Sequence, residues 1–171
     1  MVLVIDGLSE KSLKNAATQI ERYRKQFVDK NREFVRELTK AGIAVIYENL
    51  YGAGDSEPPE PNEPKVFMGT HEGYMQAILR LRGEDVMFVE FGAGITYNSP
   101  AGSSPHPMGA QLGYTIGSYG LGQGAKEYWF YKDKDGEEKV SYGTEATMPM
   151  YKADMKIRQE FASIAKRVFG G

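Results

Sequence analysis

The sequence predicts an α+β fold in one domain, residues 1–171, with a long N-terminal helix, an antiparallel sheet of about four strands and a C-terminal helix. Apolar residues recur at spacings of three, four and seven near both ends of the chain, as they do in amphipathic helices. In the middle they alternate with polar residues in short runs, as in half-buried strands. In addition, no residue between Glu90 and Lys126 carries a charge, and this stretch is predicted to be one long loop.

The first predicted element is a helix over residues 10–40. Ser9 suits the N-cap position, and Gly42 suits the C′ position after the last turn. At roughly 1.5 Å per residue, this helix is about 46 Å long, which is more than a compact domain of this size needs. We therefore expect it to pack partly on its own sheet and partly on another chain. Its apolar stripe consists of Leu13, Ala16, Ala17, Ile20, Tyr23, Phe27, Phe34 and Leu38.

The next segments contain residues that interrupt helices and strands, and after them the spacing of the apolar residues changes. Residues 43–51 fit a strand or a short second helix, and the spacing of their apolar residues favours the helix. Residues 52–64 hold four acids, no base and several prolines, which predicts an extended, exposed loop. From Lys65 the period is two, which predicts a hairpin over residues 65–82. The run VMFVEF, residues 86–91, fits either a short helix or a strand.

The predicted loop over residues 92–125, called the uncharged loop below, has an unusual composition. The stretch from Phe91 to Ala125 holds nine glycines and three prolines, together with several aromatic and aliphatic residues. Disordered linkers are usually poor in apolar groups and rich in charge, and long loops without structure of their own are usually functional or disordered. We therefore expect this loop to become ordered by contact with a neighbouring subunit.

The last third of the chain predicts a second hairpin and a helix. The aromatic run EYWFYK is typical of a strand, and Asp133–Gly136 contains Asp-Gly, a strong hairpin-turn signal. We predict the hairpin over residues 127–142. Pro149 then precedes a helix over about residues 150–168. The apolar stripe of this helix consists of Met150, Ala153, Ile157, Phe161, Ile164, Ala165 and Val168.

Composition limits the class of protein. The chain has no cysteine, which excludes disulfides and thiolate metal sites. The formal net charge of -2 argues against nucleic-acid binding by bulk charge, although residues 10–40 carry nine Lys/Arg against five Asp/Glu. No apolar run approaches the roughly 20 residues that span a membrane, and the first residues lack the pattern of a signal peptide. We expect a soluble protein made in a cytoplasm, with no cofactor and no membrane contact.

The sequence contains no clear catalytic or metal-binding constellation. A metal site needs three or four converging ligands, and the two histidines, His71 and His106, are not expected to form one. Ser103, Ser104 and His106 suggest a nucleophile and base, but neighbours in a proline-broken loop do not readily reach that geometry. Glu90 is either a solvent-facing carboxylate or a buried acid that requires a partner. The candidate partners are Arg80, Arg82 and Arg158.

Four features occur in an order that matches a known pattern. They are FVEFGAGI (Phe88–Ile95), Pro-His-Pro in the uncharged loop, EYWFYKDKDG (Glu127–Gly136) and ATMPMYKADMKIR (Ala146–Arg158). This order resembles the tail-completion or neck proteins of long-tailed bacteriophages and prophages, a family with a Val-Glu-Phe-Gly-Thr-Gly core, a Trp-Phe-Tyr strand and a Pro-Phe-Met-Tyr-type helix start. The chain departs from that pattern in two places: Ala93 stands where Thr is commoner, and Met-Pro-Met-Tyr replaces the Pro-Phe-Met form. The resemblance covers roughly residues 86–158.

The resemblance implies a structural virion protein, without enzymatic activity, that forms a ring at the head–tail joint and completes or connects the tail. The implied partners are further copies of the chain in a six- or twelve-fold ring, the head-closure or connector proteins, the tail terminator and the tail tube. Contact with genome DNA in the lumen is a further expectation. The protein would be assembled in the host bacterial cytoplasm and located in the virion. The residues expected at its interfaces are Glu90, Phe91, Gly92, Tyr97, Tyr114, Tyr119, Trp129, Tyr131 and Tyr151.

Two other functions fit parts of the sequence. The excess of Lys and Arg in residues 10–40 would suit a small nucleic-acid-binding module, whose affinity should fall steeply with salt. Alternatively, Glu90 and His106 would serve a small hydrolase, in which both residues would be needed for turnover.

Overall fold

The structure of the chain, a computed structural model, describes residues 9–50, 60–61, 67–68, 75–83, 86–92, 104–112, 128–133 and 135–170. These residues form helices and short antiparallel strands, so the predicted α+β class is confirmed. The helices are α1 (Glu10–Glu48), α2 (Val86–Phe91) and α3 (Pro149–Phe169). The strands are β1 (Glu60–Pro61), β2 (Phe67–Met68), β3 (Met75–Gln76), β4 (Leu81–Arg82), β5 (Trp129–Lys132) and β6 (Glu138–Ser141).

The core lies between the C-terminal half of α1 and α3, which pack side by side in antiparallel directions. Ile46 is fully buried and forms the centre of the core with Leu50 and Ala153. Farther along the pair, the ring of Phe34 lies 5.2 Å from that of Phe161 and 5.6 Å from that of Phe169. The remaining side chains against this core are those of Val45, Leu81 and Met150, which are partly buried.

Helix α1 begins where the sequence predicts but ends later. Ser9 caps it, because the Ser9 hydroxyl accepts a hydrogen bond from the backbone N–H of Ser12 at 3.2 Å. The predicted end at residue 40, with Gly42 at C′, is wrong, because the helix continues to Glu48 and includes the segment for which a separate helix was expected. Gly42 is instead a contact point inside the helix. A Cβ there would lie 2.7 Å from the Cδ1 atom of Ile157 and 2.8 Å from that of Leu79, so a larger residue would force the ends of these side chains to shift.

The predicted single sheet of about four strands is wrong. The strands in the described part of the chain form three separate antiparallel pairs, β1–β4, β2–β3 and β5–β6, and only the last pair has strands of four residues. The predicted hairpin over residues 65–82 is correct for β2 and β3, where Met68 pairs with Met75. It fails beyond Gln76 because Leu79 and Leu81 pack onto the helices, and β4 pairs with β1 instead.

The predicted second hairpin and the C-terminal helix are both confirmed. In the hairpin, Phe130 pairs with Val140 and Trp129 with Ser141. The Asp133 carboxylate closes the turn by accepting the backbone N–H groups of Asp135 at 3.0 Å and Glu137 at 2.9 Å. Residues 86–91 adopt the helical alternative as α2. Of the predicted acidic loop over residues 52–64, the structure describes only Glu60–Pro61, which forms β1.

Candidate functional site

Helix α2 holds the beginning of α3 by accepting hydrogen bonds from its backbone N–H groups. We call this set of bonds the Glu90 clasp. The carbonyl oxygen of Val89 accepts hydrogen bonds from the backbone N–H of Thr147 at 2.9 Å and of Met148 at 3.3 Å. The two carboxylate oxygens of Glu90 accept the N–H groups of Met150 and Tyr151, both at 2.8 Å. Glu90 therefore caps α3 from another element and occupies the place that a Ser or Asp N-cap side chain usually fills.

The residue types at the start of α3 suit this arrangement. Pro149 is the first helical residue, where its missing N–H costs nothing and its fixed φ favours the helix. Met148, the N-cap residue, offers no side-chain cap and has a left-handed φ of 53°. A negative charge near the N-terminus of α3 is also favourable for the helix dipole. Since Glu90 is only 6% exposed, these bonds replace the water that a buried carboxylate loses.

The clasp includes His106, which is 7% exposed. Its Nε2 lies 3.3 Å from a carboxylate oxygen of Glu90, and its Nδ1 accepts the backbone N–H of Met108 at 3.0 Å. Because Nδ1 is an acceptor, the proton of a neutral imidazole is on Nε2, the nitrogen that lies beside the Glu90 carboxylate. The ring packs between Phe91 and Tyr151, at centroid distances of 4.5 Å and 5.1 Å.

Ser104, His106 and Glu90 lie close together, but their hydrogen bonds do not form a nucleophile–base relay. The Ser104 hydroxyl donates to the carbonyl oxygen of Phe91 and accepts from the backbone N–H of His106 at 3.1 Å. The described hydrogen bonds include none between the imidazole and that hydroxyl, because Nε2 lies beside Glu90 and Nδ1 accepts the backbone N–H of Met108. A general base must reach the proton that it removes, so this arrangement favours a structural role for the three residues.

The alternative of Glu90 as a buried, partnered acid is therefore correct. Its partners are backbone N–H groups and His106, which sequence reasoning missed because they lie about sixty and sixteen residues away along the chain. Arg158, one of the expected partners, forms an ion pair with Asp154 at 2.8 Å and points to solvent. No local signal marks a carboxylate that caps a helix from another element.

An exposed apolar surface covers one side of the second hairpin. Side chains alternate along a strand, so Tyr128, Phe130, Val140 and Tyr142 share a face, which we call the hairpin face. Phe130 is 65% exposed and Tyr142 61% exposed. The ring of Tyr128 contacts both Phe130 and Tyr142, at 5.8 Å and 6.3 Å. The hairpin face is thus a connected aromatic surface open to solvent.

A second exposed apolar surface lies on the N-terminal half of α1. Helix α3 ends beside Phe27, whose ring lies 6.2 Å from that of Phe169. The apolar stripe of α1 continues beyond this point; four of its large residues are about half exposed there, whereas Ala16 is buried. We call this part the α1 stripe; its residues are Leu13, Ile20, Tyr23 and Phe27. The covered part of α1 packs mainly on α3, and the expectation that another chain covers the remainder stays a prediction.

The residues predicted at interfaces lie in three kinds of place. Glu90, Phe91 and Gly92 are buried inside the chain itself and belong to the clasp or its surroundings. Tyr151 is half-buried against His106, whereas Tyr131 is exposed on the second hairpin. Trp129 lies in β5. Three more, Tyr97, Tyr114 and Tyr119, lie outside the described residues.

Sequence reasoning missed the hairpin face as a surface. The alternation from Tyr128 to Lys132 could have shown that Tyr128 and Phe130 share a side. Of the uncharged loop, the structure describes Gly92 and residues 104–112, in which His106 is buried while Met108 and Leu112 are about half exposed. The expectation that a neighbouring subunit orders this loop stays a prediction.

The described residues contain no group of three or more His, Cys, Asp or Glu placed to hold a metal ion. Among the helices of the same part of the chain, none is both long and apolar enough to cross a membrane. Comparison of the sequence with protein-family models and with characterised proteins, and of the structure with solved structures, finds no match.

Proposed function

We propose that this chain is a structural subunit of a bacteriophage neck or tail, which forms a ring at the head–tail joint and completes or connects the tail. The observation that carries the proposal is the exposed aromatic hairpin face, in which Phe130 and Tyr142 are more than half open to solvent. Isolated domains rarely expose connected apolar surface, and such patches usually mark interaction sites. The kind of assembly is inferred from the order of motifs described above, which resembles that of phage neck and tail-completion proteins.

The division of the molecule supports an assembly role. The clasp and the α1–α3 core bury the residues that determine the fold, whereas the hairpin face and the α1 stripe leave large apolar groups exposed at other places. A ring subunit needs two different surfaces that contact its two neighbours, because a ring is built from heterologous contacts that close by rotation. Two separate exposed apolar surfaces on one chain meet this need.

The alternative of a nucleic-acid-binding module receives less support. Three bases of α1 are neutralised within the helix by acids one turn away, in the pairs Lys14–Glu10, Arg32–Asp29 and Lys40–Glu37. Pairing of this kind lowers the positive potential that would attract phosphates. The hydrolase alternative likewise receives less support, because Nδ1 of His106 accepts the backbone N–H of Met108 and Nε2 lies against the buried Glu90 carboxylate, so neither nitrogen is open to a substrate.

The proposed function can be tested in the phage or prophage whose genome encodes this chain. Removal of the gene should leave heads and tails that accumulate separately, and supplying the wild-type chain should restore joined particles, both scored by electron microscopy. Density for the chain at the head–tail joint of intact particles is the second expected result. Joined, infectious particles that lack the chain would refute the proposal. Binding of DNA by the purified chain with a steep salt dependence would favour the nucleic-acid-binding alternative.

A further inference from the structure

We propose that the hairpin face of one copy of this chain docks on the α1 stripe of the next copy. The inference deepens the ring proposed above and rests on it for its biological setting, because it assigns the two surfaces of the ring contact. Both surfaces consist of large apolar side chains that are about half exposed or more. Each surface would bury the other in a head-to-tail contact.

Charge complementarity favours this pairing. Residues 10–27 of α1 carry five Lys/Arg and two Glu, and all seven side chains are exposed. Arg24, one turn after Ile20, borders the α1 stripe. The turn region next to the hairpin face, residues 132–139, carries four acids and three lysines, a net charge of -1. Lys139 lies 3.5 Å from both Asp133 and Glu137, and Glu138 pairs in register with Lys132. The aromatic face is therefore bordered by a slight acidic excess and the apolar stripe by a basic excess, and charges of opposite sign help to fix the register of such contacts.

Charge also argues against the simplest alternative, in which the α1 stripe pairs with the same stripe of a second copy. That contact would bring two segments with an excess of positive charge together, and like charges placed opposite one another are unfavourable. It would also leave the hairpin face uncovered. The head-to-tail contact covers both surfaces and places opposite charges together.

The apolar side chains of the two surfaces supply a large part of the area that such a contact needs. A large aromatic side chain buries about 150–250 Å² when fully covered, so half-exposed groups on the two surfaces together offer on the order of 800 Å². A stable specific interface buries roughly 1,200–2,000 Å² in total. The polar and charged residues around the two surfaces would supply the remainder, as the rim does in most interfaces.

Cysteine cross-linking tests the contact directly, because the natural chain has no cysteine that would interfere. One preparation carries Tyr23→Cys on the α1 stripe, and another carries Phe130→Cys on the hairpin face. Mixed under mild oxidation, they should form a disulfide-linked heterodimer several-fold faster than either preparation forms a homodimer. Ile20→Cys with Tyr142→Cys is a second pair, and far-UV circular dichroism checks that every variant is folded.

The matched control replaces Phe130→Cys by Met155→Cys, because Met155 is a similarly exposed apolar residue on α3, outside both surfaces. Its cross-linking to Tyr23→Cys should stay at the background rate. The heterodimer should also form more slowly as salt rises, since exposed charges on the two surfaces are screened. Equal rates for the control pair, or Tyr23→Cys homodimers as fast as the heterodimer, would overturn the proposal, as would the absence of a heterodimer for both pairs.

The outcomes separate this contact from the proposed function. If neither pair cross-links but the chain still lies at the head–tail joint, the ring is built through other surfaces and the function stands. If both pairs cross-link but particles assemble normally without the chain, the contact is real and the neck function is wrong.

Discussion

The two halves of helix α1 carry the same kind of apolar stripe but have opposite surroundings. In the C-terminal half, Ile46 is 0% exposed and packs against α3. In the N-terminal half, Ile20 is 51% exposed and lies beyond the end of α3. Because α1 has 39 residues and α3 has 21, a difference in length leaves part of the stripe uncovered.

The contrast separates stability from interaction. The free energy of folding should come mainly from the covered half, where side chains leave water and pack closely. The uncovered half adds little to the fold of a single chain, but it is the kind of surface that binds another molecule. The same division holds between the buried clasp and the exposed hairpin face.

The largest expected effect comes from the same substitution made in the two halves of α1. Ile46→Ala should lower the free energy of unfolding by about 2–5 kcal/mol, because it leaves a cavity in the core. Ile20→Ala should change it by less than about 0.5 kcal/mol, because the side chain is half exposed and Ala favours the helix. Urea denaturation of the monomeric chain measures both values.

Tyr47→Ala is the matched control, since Tyr47 follows Ile46 directly but is 55% exposed. It should leave the free energy of unfolding close to the wild-type value. An effect of Ile20→Ala as large as that of Ile46→Ala would show that the N-terminal half of α1 is packed within the isolated chain, and the comparison would fail.

The next effect concerns the clasp. Glu90→Ala should lower the free energy of unfolding by about 2–4 kcal/mol, because it leaves two N–H groups of α3 without an acceptor and removes the carboxylate beside Nε2 of His106. Glu90→Gln should cost less, since its amide oxygen still accepts one hydrogen bond. Thermal and urea denaturation measure the differences.

Glu145→Ala serves as the control for the loss of an acid, because Glu145 is exposed and close to the same helix in sequence. Its effect should stay within about 0.5 kcal/mol. If Glu90→Ala were as mild as this control, the capping of α3 by Glu90 would contribute nothing measurable to the fold.

The smallest effect is on the surface of the α1–α3 pair. A hydrogen bond and the charge of Lys40, followed by the charge of Arg167, lower the pKa of Glu37 below its ordinary value of 4.5. A lowered folded-state pKa adds stability that is present above the unfolded-state value and is lost as the pH falls through the folded-state value. Glu37→Gln should therefore be slightly less stable than wild type at neutral pH, and the difference should vanish in acid.

Denaturation midpoints at neutral pH and well below pH 4.5 test this sign. High salt should also reduce the difference, because Glu37, Lys40 and Arg167 lie at the surface. A difference that grew in acid would contradict the assigned cause.

The sequence predicted the elements whose signals are local. Ser9 and the spacing of apolar residues predicted the start of α1, Pro149 the start of α3, and Asp133 with Gly136 the second hairpin. Each of these signals acts over a few residues, through a side chain that satisfies a nearby backbone group or a backbone angle that few residues adopt. The α+β class followed from these elements together.

Tertiary packing determined the remainder. Gly42 carries the signal of a helix end, yet α1 passes through it, and the glycine lies against Ile157 of α3. The sequence left open whether Glu90 faces solvent or is buried with a partner, and only the fold places it at the start of α3 beside His106. The sequence predicts the apolar stripe of α1 along its whole length, whereas the length of α3 determines which part of the stripe is buried. Local chemistry thus determined which helix, strand or turn each segment forms. Contacts between distant segments determined which apolar surfaces are buried and which stay exposed.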